Sequence, residues 1–209
     1  MGLFCYTIFM TPQTILLFGR AGSGKGTQAQ LLMEYLKIHD AERKCLYLET
    51  GQKLRDFIVQ DNHSAQLTKE VIKTGGLMPP FMPIWLWTSF LVENFTGDEH
   101  LVFDGLCRRR YESPILDTAL QFYKRESVVV IIINTSNEWS MERALERGRS
   151  DDDLSEIKKR LEWFDTEVVS AIQYFRDNPK YTILDINGEQ TIEEVNKEIM
   201  EKLNLRINE

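Results

Sequence analysis

The sequence predicts an α/β protein with a central five-stranded parallel sheet and helices on both faces. Short apolar runs alternate with longer amphipathic stretches, most of these runs are apolar on both faces, and a glycine-rich turn follows the first of them. Such alternation implies helices that cross between parallel strands, and two-faced apolar runs imply strands covered on both sides.

In chain order, Thr14–Phe18 (TILLF), Cys45–Glu49 (CLYLE), His100–Asp104 (HLVFD), Ser127–Asn134 (SVVVIIIN) and Tyr181–Ile186 (YTILDI) read as the five strands. The clearest helix runs from Ser150 to about Arg176, with Leu154, Ile157, Leu161, Phe164, Val168 and Ile172 spaced three or four apart. Ser150 with Asp153 offers a cap at its start. A last helix over Thr191 to Leu203 carries Ile192, Val195, Ile199 and Leu203 on one face. No repeat, low-complexity segment or Gly/Ser-rich linker interrupts the pattern, so residues 1–209 read as a single domain. Ligands in such folds bind beyond the carboxyl ends of the strands.

A chain of 209 residues suffices for one large core and is short for two. Its net charge of −7 disfavours sequence-independent binding to nucleic acid or to an anionic membrane. Phosphate chemistry would therefore need basic groups clustered locally. Cys5, Cys45 and Cys107 show no CxxC or metal-ligand spacing and read as free thiols in a reducing compartment. His39, His63 and His100 are isolated and read as structural or surface residues. Residues 1–10 are apolar but lack a basic flank and are too short to span a bilayer; they read as a leader ahead of an alternative start at Met10. Tyr6 stands where a myristoylation signal wants Ser or Thr. With no apolar run of transmembrane length elsewhere, the expected location is cytoplasmic.

The chemistry begins after the first strand, at Gly19-Arg20-Ala21-Gly22-Ser23-Gly24-Lys25-Gly26-Thr27-Gln28. Glycines let the backbone fold tightly with successive N–H groups pointing inward, and those donors, with the N-terminus of the next helix, suit a polyphosphate. Lys25 adds a point charge for the outer phosphates. Gly26 occupies the place where the common pattern has a Ser or Thr for magnesium, and Thr27 follows one position later.

With these residues the chain resembles the adenylate kinase family of nucleoside monophosphate kinases, which uses this GKGTQ form of the P-loop (Gly24–Gln28). Further matches follow in order. Thr50, Gly51 and Arg55 resemble a TGxxxR element, which implies threonine contact with the acceptor nucleoside and an arginine on its phosphate. Gly75-Gly76-Leu77-Met78-Pro79 is similar to the segment that lies over the acceptor base. Phe103-Asp104-Gly105 with Arg108 resembles FDGxPR, whose aspartate orients magnesium-bound water and whose arginine grips the acceptor phosphate. Arg143 and Arg147 match an RxxxR pair on the helix entering the lid, and Arg149, Asp151, Asp152 and Arg160 match the pattern leaving it.

The resemblance implies a P-loop three-layer fold and transfer of the γ-phosphoryl group of ATP, with Mg2+, to a monophosphate, AMP on family grounds. It implies Gly22, Ser23, Gly24, Lys25, Gly26, Thr27, Arg143 and Arg147 at the ATP. Thr50, Gly51, Arg55, Gly76, Leu77, Met78, Gly105, Arg108, Glu112, Arg149 and Arg160 would then face the acceptor. Lys25, Asp104, Arg108, Arg149 and Arg160 would carry catalysis, with no residue ligating the metal directly. A monophosphate-binding flap over roughly 49–80, a short lid over roughly 147–152 and action as a monomer are the further expectations. Arg109 and Arg110 have no counterpart and are expected at the surface.

Four departures qualify this, one being Pro80 in place of a frequent acid. Gln52 replaces an acid that helps hold magnesium's water shell, Leu106-Cys107 replaces an aromatic-proline pair, and Glu112 stands where a glutamine reads adenine. An ionised carboxylate only accepts hydrogen bonds, which suits the N1 and N2 donors of guanine better than adenine. Glu112 therefore predicts either a preference shifted toward GMP or a loop whose register turns it to solvent. A P-loop kinase for another small acceptor, and a nucleotide-binding regulator with impaired catalysis, are the alternative readings.

Overall fold

The computed structural model describes residues 11–149 and 152–203. The leader, Cys5, Ser150 and Asp151 lie outside the described residues. The strands are β1 (Thr14–Gly19), β2 (Cys45–Glu49), β3 (His100–Asp104), β4 (Val128–Asn134) and β5 (Tyr181–Asn187). They form one parallel sheet in the order β2-β3-β1-β4-β5, with Thr14 paired to Leu101 on one side and Val128 on the other. The helices are α1 (Lys25–His39), α2 (Thr50–Phe57), α3 (His63–Lys73), α4 (Phe81–Asn94), α5 (Glu112–Phe122), α6 (Asn137–Arg147), α7 (Leu154–Trp163), α8 (Val169–Arg176) and α9 (Ile192–Lys202).

Successive side chains of a strand point to opposite faces, so β1 feeds two cores. Ile15 and Leu17 pack with Leu32 and Leu36 of α1 and Val195 and Ile199 of α9. Leu16 and Phe18 pack on the other face with Trp87 and Leu91 of α4, Leu116 and Leu120 of α5 and Phe175 of α8. This three-layer arrangement explains why the central strands β1, β3 and β4 are apolar on both faces. A separate small cluster of Leu54, Phe57, Ala65, Met78 and Met82 holds α2, α3 and the start of α4 together.

The long C-terminal helix differs from the expectation of one continuous element. Asp153 is its N-cap, accepting from the Ser155 N–H at 2.8 Å. Leu154, in the first turn, is 44% exposed and drops off the apolar face. A π-helical segment, Phe164–Val168, then separates α7 from α8. At α9 Thr191 and Glu194 form a reciprocal capping box. Cys45 and Cys107 are free thiols, and His100 is buried, accepting from the Gln13 N–H at Nδ1 with Nε2 3.2 Å from Asp40. Among the described residues no helix is long and apolar enough to cross a membrane.

Candidate active site

The glycine turn leaves β1 at the carboxyl edge of the sheet and its shape requires glycine. Gly22 has φ +86°, and a Cβ there would lie 2.2 Å from the Ser140 carbonyl oxygen of α6. Gly24, at φ +88°, is the N-cap of α1 without a side-chain cap, and the first turn of α1 has no acidic residue. The helix thus presents unopposed N–H dipoles toward the turn. Lys25 folds back over it, its Nζ donating to the carbonyls of Gly19 at 2.8 Å and Arg20 at 2.9 Å. Burial pulls the Lys25 ammonium down, partly offset by the Asp104 carboxylate. Burial likewise pushes Asp104 up, opposed by Lys25. The two charges support each other in a site that penalises both.

A cleft of about 720 Å³ opens along this edge. Gly22, Ser23, Gly24, Lys25, Gly26 and Thr27 line one side of it. Asp104, Gly105 and Arg108 follow from the end of β3, and Gly51, Arg55 and Gly76 from the segments after β2. Arg143 and Arg147 reach in from α6, Arg149 from the loop before α7 and Arg160 from the last turn of α7. Most of the chain's expected phosphate-binding groups therefore share one cavity. Arg143 also lies 5.0 Å over the Trp139 ring. Burial lowers the Arg108 guanidinium, opposed by the charges of Glu112 and Asp104.

Asp152 organises the arginines. Its carboxylate, closed to solvent, accepts from Arg147 Nε and Nη2, both at 2.9 Å, from Arg160 Nη2 at 2.6 Å and from the Arg149 N–H at 3.2 Å. Burial alone would raise its pKa; the hydrogen bonds of Arg147 and Arg160 outweigh this and hold it at about 2.

Four of the expected residues do not line the cleft. Thr50 is buried at the start of α2, its hydroxyl without a hydrogen-bond partner. Leu77 is half-buried away from the cavity, and Met78 packs into the α2–α4 cluster because that cluster needs an apolar side chain there. Glu112 is neither a cleft residue nor exposed: it is 1% accessible, and its Oε2 accepts the Arg108 N–H at 3.0 Å. The expectation that a register shift turns it to solvent is thus overturned by that backbone bond. Burial raises Glu112 to about 7, against the pull of the Arg108 N–H and the Arg108 and Arg109 guanidiniums. Arg109 also departs from expectation, being half-buried and paired with Glu167 at 3.2 Å; Arg110 is exposed.

The cleft holds residues that sequence reasoning missed. Glu49 and Tyr47, at the end of β2, line it, and the Tyr47 hydroxyl lies 3.5 Å from Asp104 Oδ2. Their position at a strand's carboxyl end was the available signal. Trp163, the last residue of α7, faces the cleft with its ring 5.5 Å from the Arg108 guanidinium carbon, and its Nε1 donates to the Gly75 carbonyl at 3.2 Å. Lys159 Nζ donates to the Thr74 carbonyl at 2.8 Å, so α7 holds the C-terminal end of α3 at two adjacent carbonyls. A Cβ on Gly75 would meet the Glu156 backbone at 2.9 Å, which explains the glycine at this close approach.

Comparison with known proteins agrees with this geometry. The adenylate kinase family model matches residues 17–180. An adenylate kinase of Flavobacterium psychrophilum is 29% identical over 195 residues, covering 91% of this chain and 97% of the relative. One of Azobacteroides pseudotrichonymphae is 28% identical, covering 90% and 95%. Adenylate kinase 1 of a Nostoc species is 29% identical, covering 88% and 95%. A family match over that span, with relatives aligned along nearly their whole length, means that the chain belongs to the adenylate kinase family, whose members are nucleoside monophosphate kinases and hence phosphotransferases.

Proposed function

We propose that the chain transfers the γ-phosphoryl group of ATP to AMP, giving two ADP. The observation that carries this reading is the single cleft in which the Gly22–Thr27 turn and Lys25 face Arg55, Arg108, Arg143, Arg147, Arg149 and Arg160. Two nucleotides meeting end to end bring together strongly negative groups, and such a cleft neutralises them where water is scarce. The donor polyphosphate lies on the turn and the N-terminus of α1, with Arg143 and Arg147 beside it. The acceptor phosphate is held by Arg55 and Arg108, and Arg149 and Arg160 bridge toward the transferring group. An acceptor phosphate has its second pKa near ~6 and is largely ionised at neutral pH, so the reaction needs no general base.

Magnesium fits this site through water. Asp104 places one buried carboxylate beside the turn, its Oδ2 3.6 Å from the position a Cβ on Gly26 would take. A single carboxylate next to a polyphosphate suits hydrogen bonds to the waters of an octahedral ion. The ion would neutralise phosphate charge, while Asp104 fixes its orientation. Residues 49–80 would act as a flap over the acceptor and 147–152 as a short lid, excluding water as a competing acceptor. One chain supplies every group named, which supports action as a monomer.

AMP is favoured over GMP because Glu112 is committed to the Arg108 backbone and lies off the cleft lining. The test is an ADP-forming assay with ATP and AMP, GMP, CMP or UMP. AMP should be the best acceptor, and Lys25→Ala should lower kcat at least ~100-fold while circular dichroism stays unchanged. Equal turnover of GMP would overturn the acceptor assignment; near-normal rates in the Lys25 variant would overturn the site.

A further inference from the structure

Glu49 has no part in the reading above, yet it sits in the middle of the acceptor grip. It is the N-cap residue of α2, but its side chain makes no cap hydrogen bond. Its carboxylate turns into the cleft. Oε1 accepts from Arg55 Nη2 at 2.9 Å and lies 3.6 Å from Arg149 Nη1. The position a Cβ would take on Gly51 marks the crossing point: Arg55 Nη1 is 3.3 Å from it, Glu49 Oε1 3.5 Å and Arg108 Nη2 3.7 Å. One carboxylate oxygen and three guanidinium groups therefore converge on a space a few ångströms wide. Arg55 is close enough to oppose the charge of Arg108, and Glu49 offsets that repulsion.

We propose that Glu49 is an internal competitor for the acceptor phosphate: its carboxylate occupies Arg55 and Arg149 in the resting enzyme, and an incoming monophosphate must displace it. This rests on the reading of Arg55, Arg108 and Arg149 as the acceptor-phosphate grip. Gln52 Oε1 also accepts from Arg55, from Nε at 3.2 Å and Nη2 at 2.9 Å, but it is neutral, so among the described residues it is Glu49 that holds the negative charge an acceptor must displace from this arginine. A phosphate dianion brings three oxygens and nearly two charges against that carboxylate, so it wins the exchange. An acceptor ending in a carboxylate offers the arginines nothing better than they already have, and one ending in a hydroxyl offers less. Glu49 thus acts as a specificity residue, setting a threshold of negative charge for entry. It also keeps a group of like charges from repelling one another between turnovers.

The test uses the full chain and inorganic phosphate as probe, by calorimetry at fixed ionic strength, alongside steady-state kinetics with ATP and AMP. Glu49→Gln should bind phosphate at least fivefold more tightly than the unchanged chain, and lower the KM for AMP by a similar factor with the KM for ATP unmoved. Glu49→Asp, whose carboxylate is drawn back by one methylene, should fall between the two. It carries the test alone if the glutamine variant fails to fold. Phosphate binding that is unchanged or weaker in a folded variant would overturn the proposal, since it would make Glu49 a brace for the arginines and not their occupant. Absence of turnover with AMP in the unchanged chain, with phosphate binding still tightened by Glu49→Gln, would instead overturn the proposed acceptor and leave this inference standing.

Discussion

Replacing Asp152 by asparagine probes the charge cluster most directly. The carboxylate is held at about 2, from an ordinary 3.8, by Arg147 and Arg160. At about 1.36 kcal/mol per tenfold change in proton affinity, that difference corresponds to roughly 2 kcal/mol of native stability at pH 7. A fully buried pair broken on one side would cost ~3–5 kcal/mol. Here Arg147 and Arg160 remain 31% and 15% exposed and keep some access to water, so the smaller figure applies. The folded carboxyl binds protons less readily than the unfolded one. Its contribution is therefore complete above pH 4 to 5 and is lost as pH falls toward about 2. At pH 3 about half should remain. The amide introduced by Asp152→Asn would keep one acceptor but turn an N–H donor toward a guanidinium. Urea unfolding of both chains at pH 7 and pH 3 should show a gap of ~2 kcal/mol that narrows to ~1. A gap below ~0.5 kcal/mol at pH 7, or one that stays constant on acidification, would refute the reasoning. Displacing Arg147 and Arg160 should also lower kcat/KM by ~10- to 100-fold in the ADP-forming assay.

Two other perturbations have clear signs. Glu112→Gln keeps an acceptor for the Arg108 N–H and removes a buried carboxyl raised to about 7. The native state binds the extra proton between its ordinary 4.5 and about 7, so the unchanged chain should lose stability relative to the variant as pH rises. Denaturation at pH 5 and pH 8 should show the variant's advantage growing by ~2 kcal/mol, and a shrinking advantage would contradict the burial argument. Gly22→Ala forces a Cβ against the Ser140 carbonyl at positive φ and should cost ~3 kcal/mol, whereas Gly24→Ala, with no atom within 4 Å of its Cβ, should cost only ~1 kcal/mol. Thermal melting that ranked Gly24→Ala as the more damaging would show that crowding at α6 does not shape the turn.

The sheet was legible because β1, β3 and β4 are apolar on both faces, and each of the five strands begins and ends within one residue of its expected bounds. The glycine turn was legible because its backbone needs fix residue types at fixed spacing. Other positions depended on distances that no local pattern carries. Thr50 and Met78 match motifs, yet the small cluster under α2 to α4 draws Met78 inward, and Thr50 is buried at the start of α2. Glu49 looked like a strand terminus, and only the folding of Arg55 and Arg149 onto it gives it company. Trp163 looked like one more helical residue, since apolar spacing cannot show that a π-helical segment begins immediately after it. Asp152 was visible as part of a pattern, but its sharing between Arg147 and Arg160 needed the meeting of α6 and α7.

The two bonds from Lys159 and Trp163 to the Thr74 and Gly75 carbonyls have a mechanical corollary. They tie the far end of α3 to the same rod that bears Arg160. While they last, a swing of α3 has to drag α7 with it, and so move the Arg160 guanidinium against Asp152. Admission of one nucleotide would then be felt at the opposite bank of the cavity through less than one turn of α7, without any change in the sheet that both banks stand on.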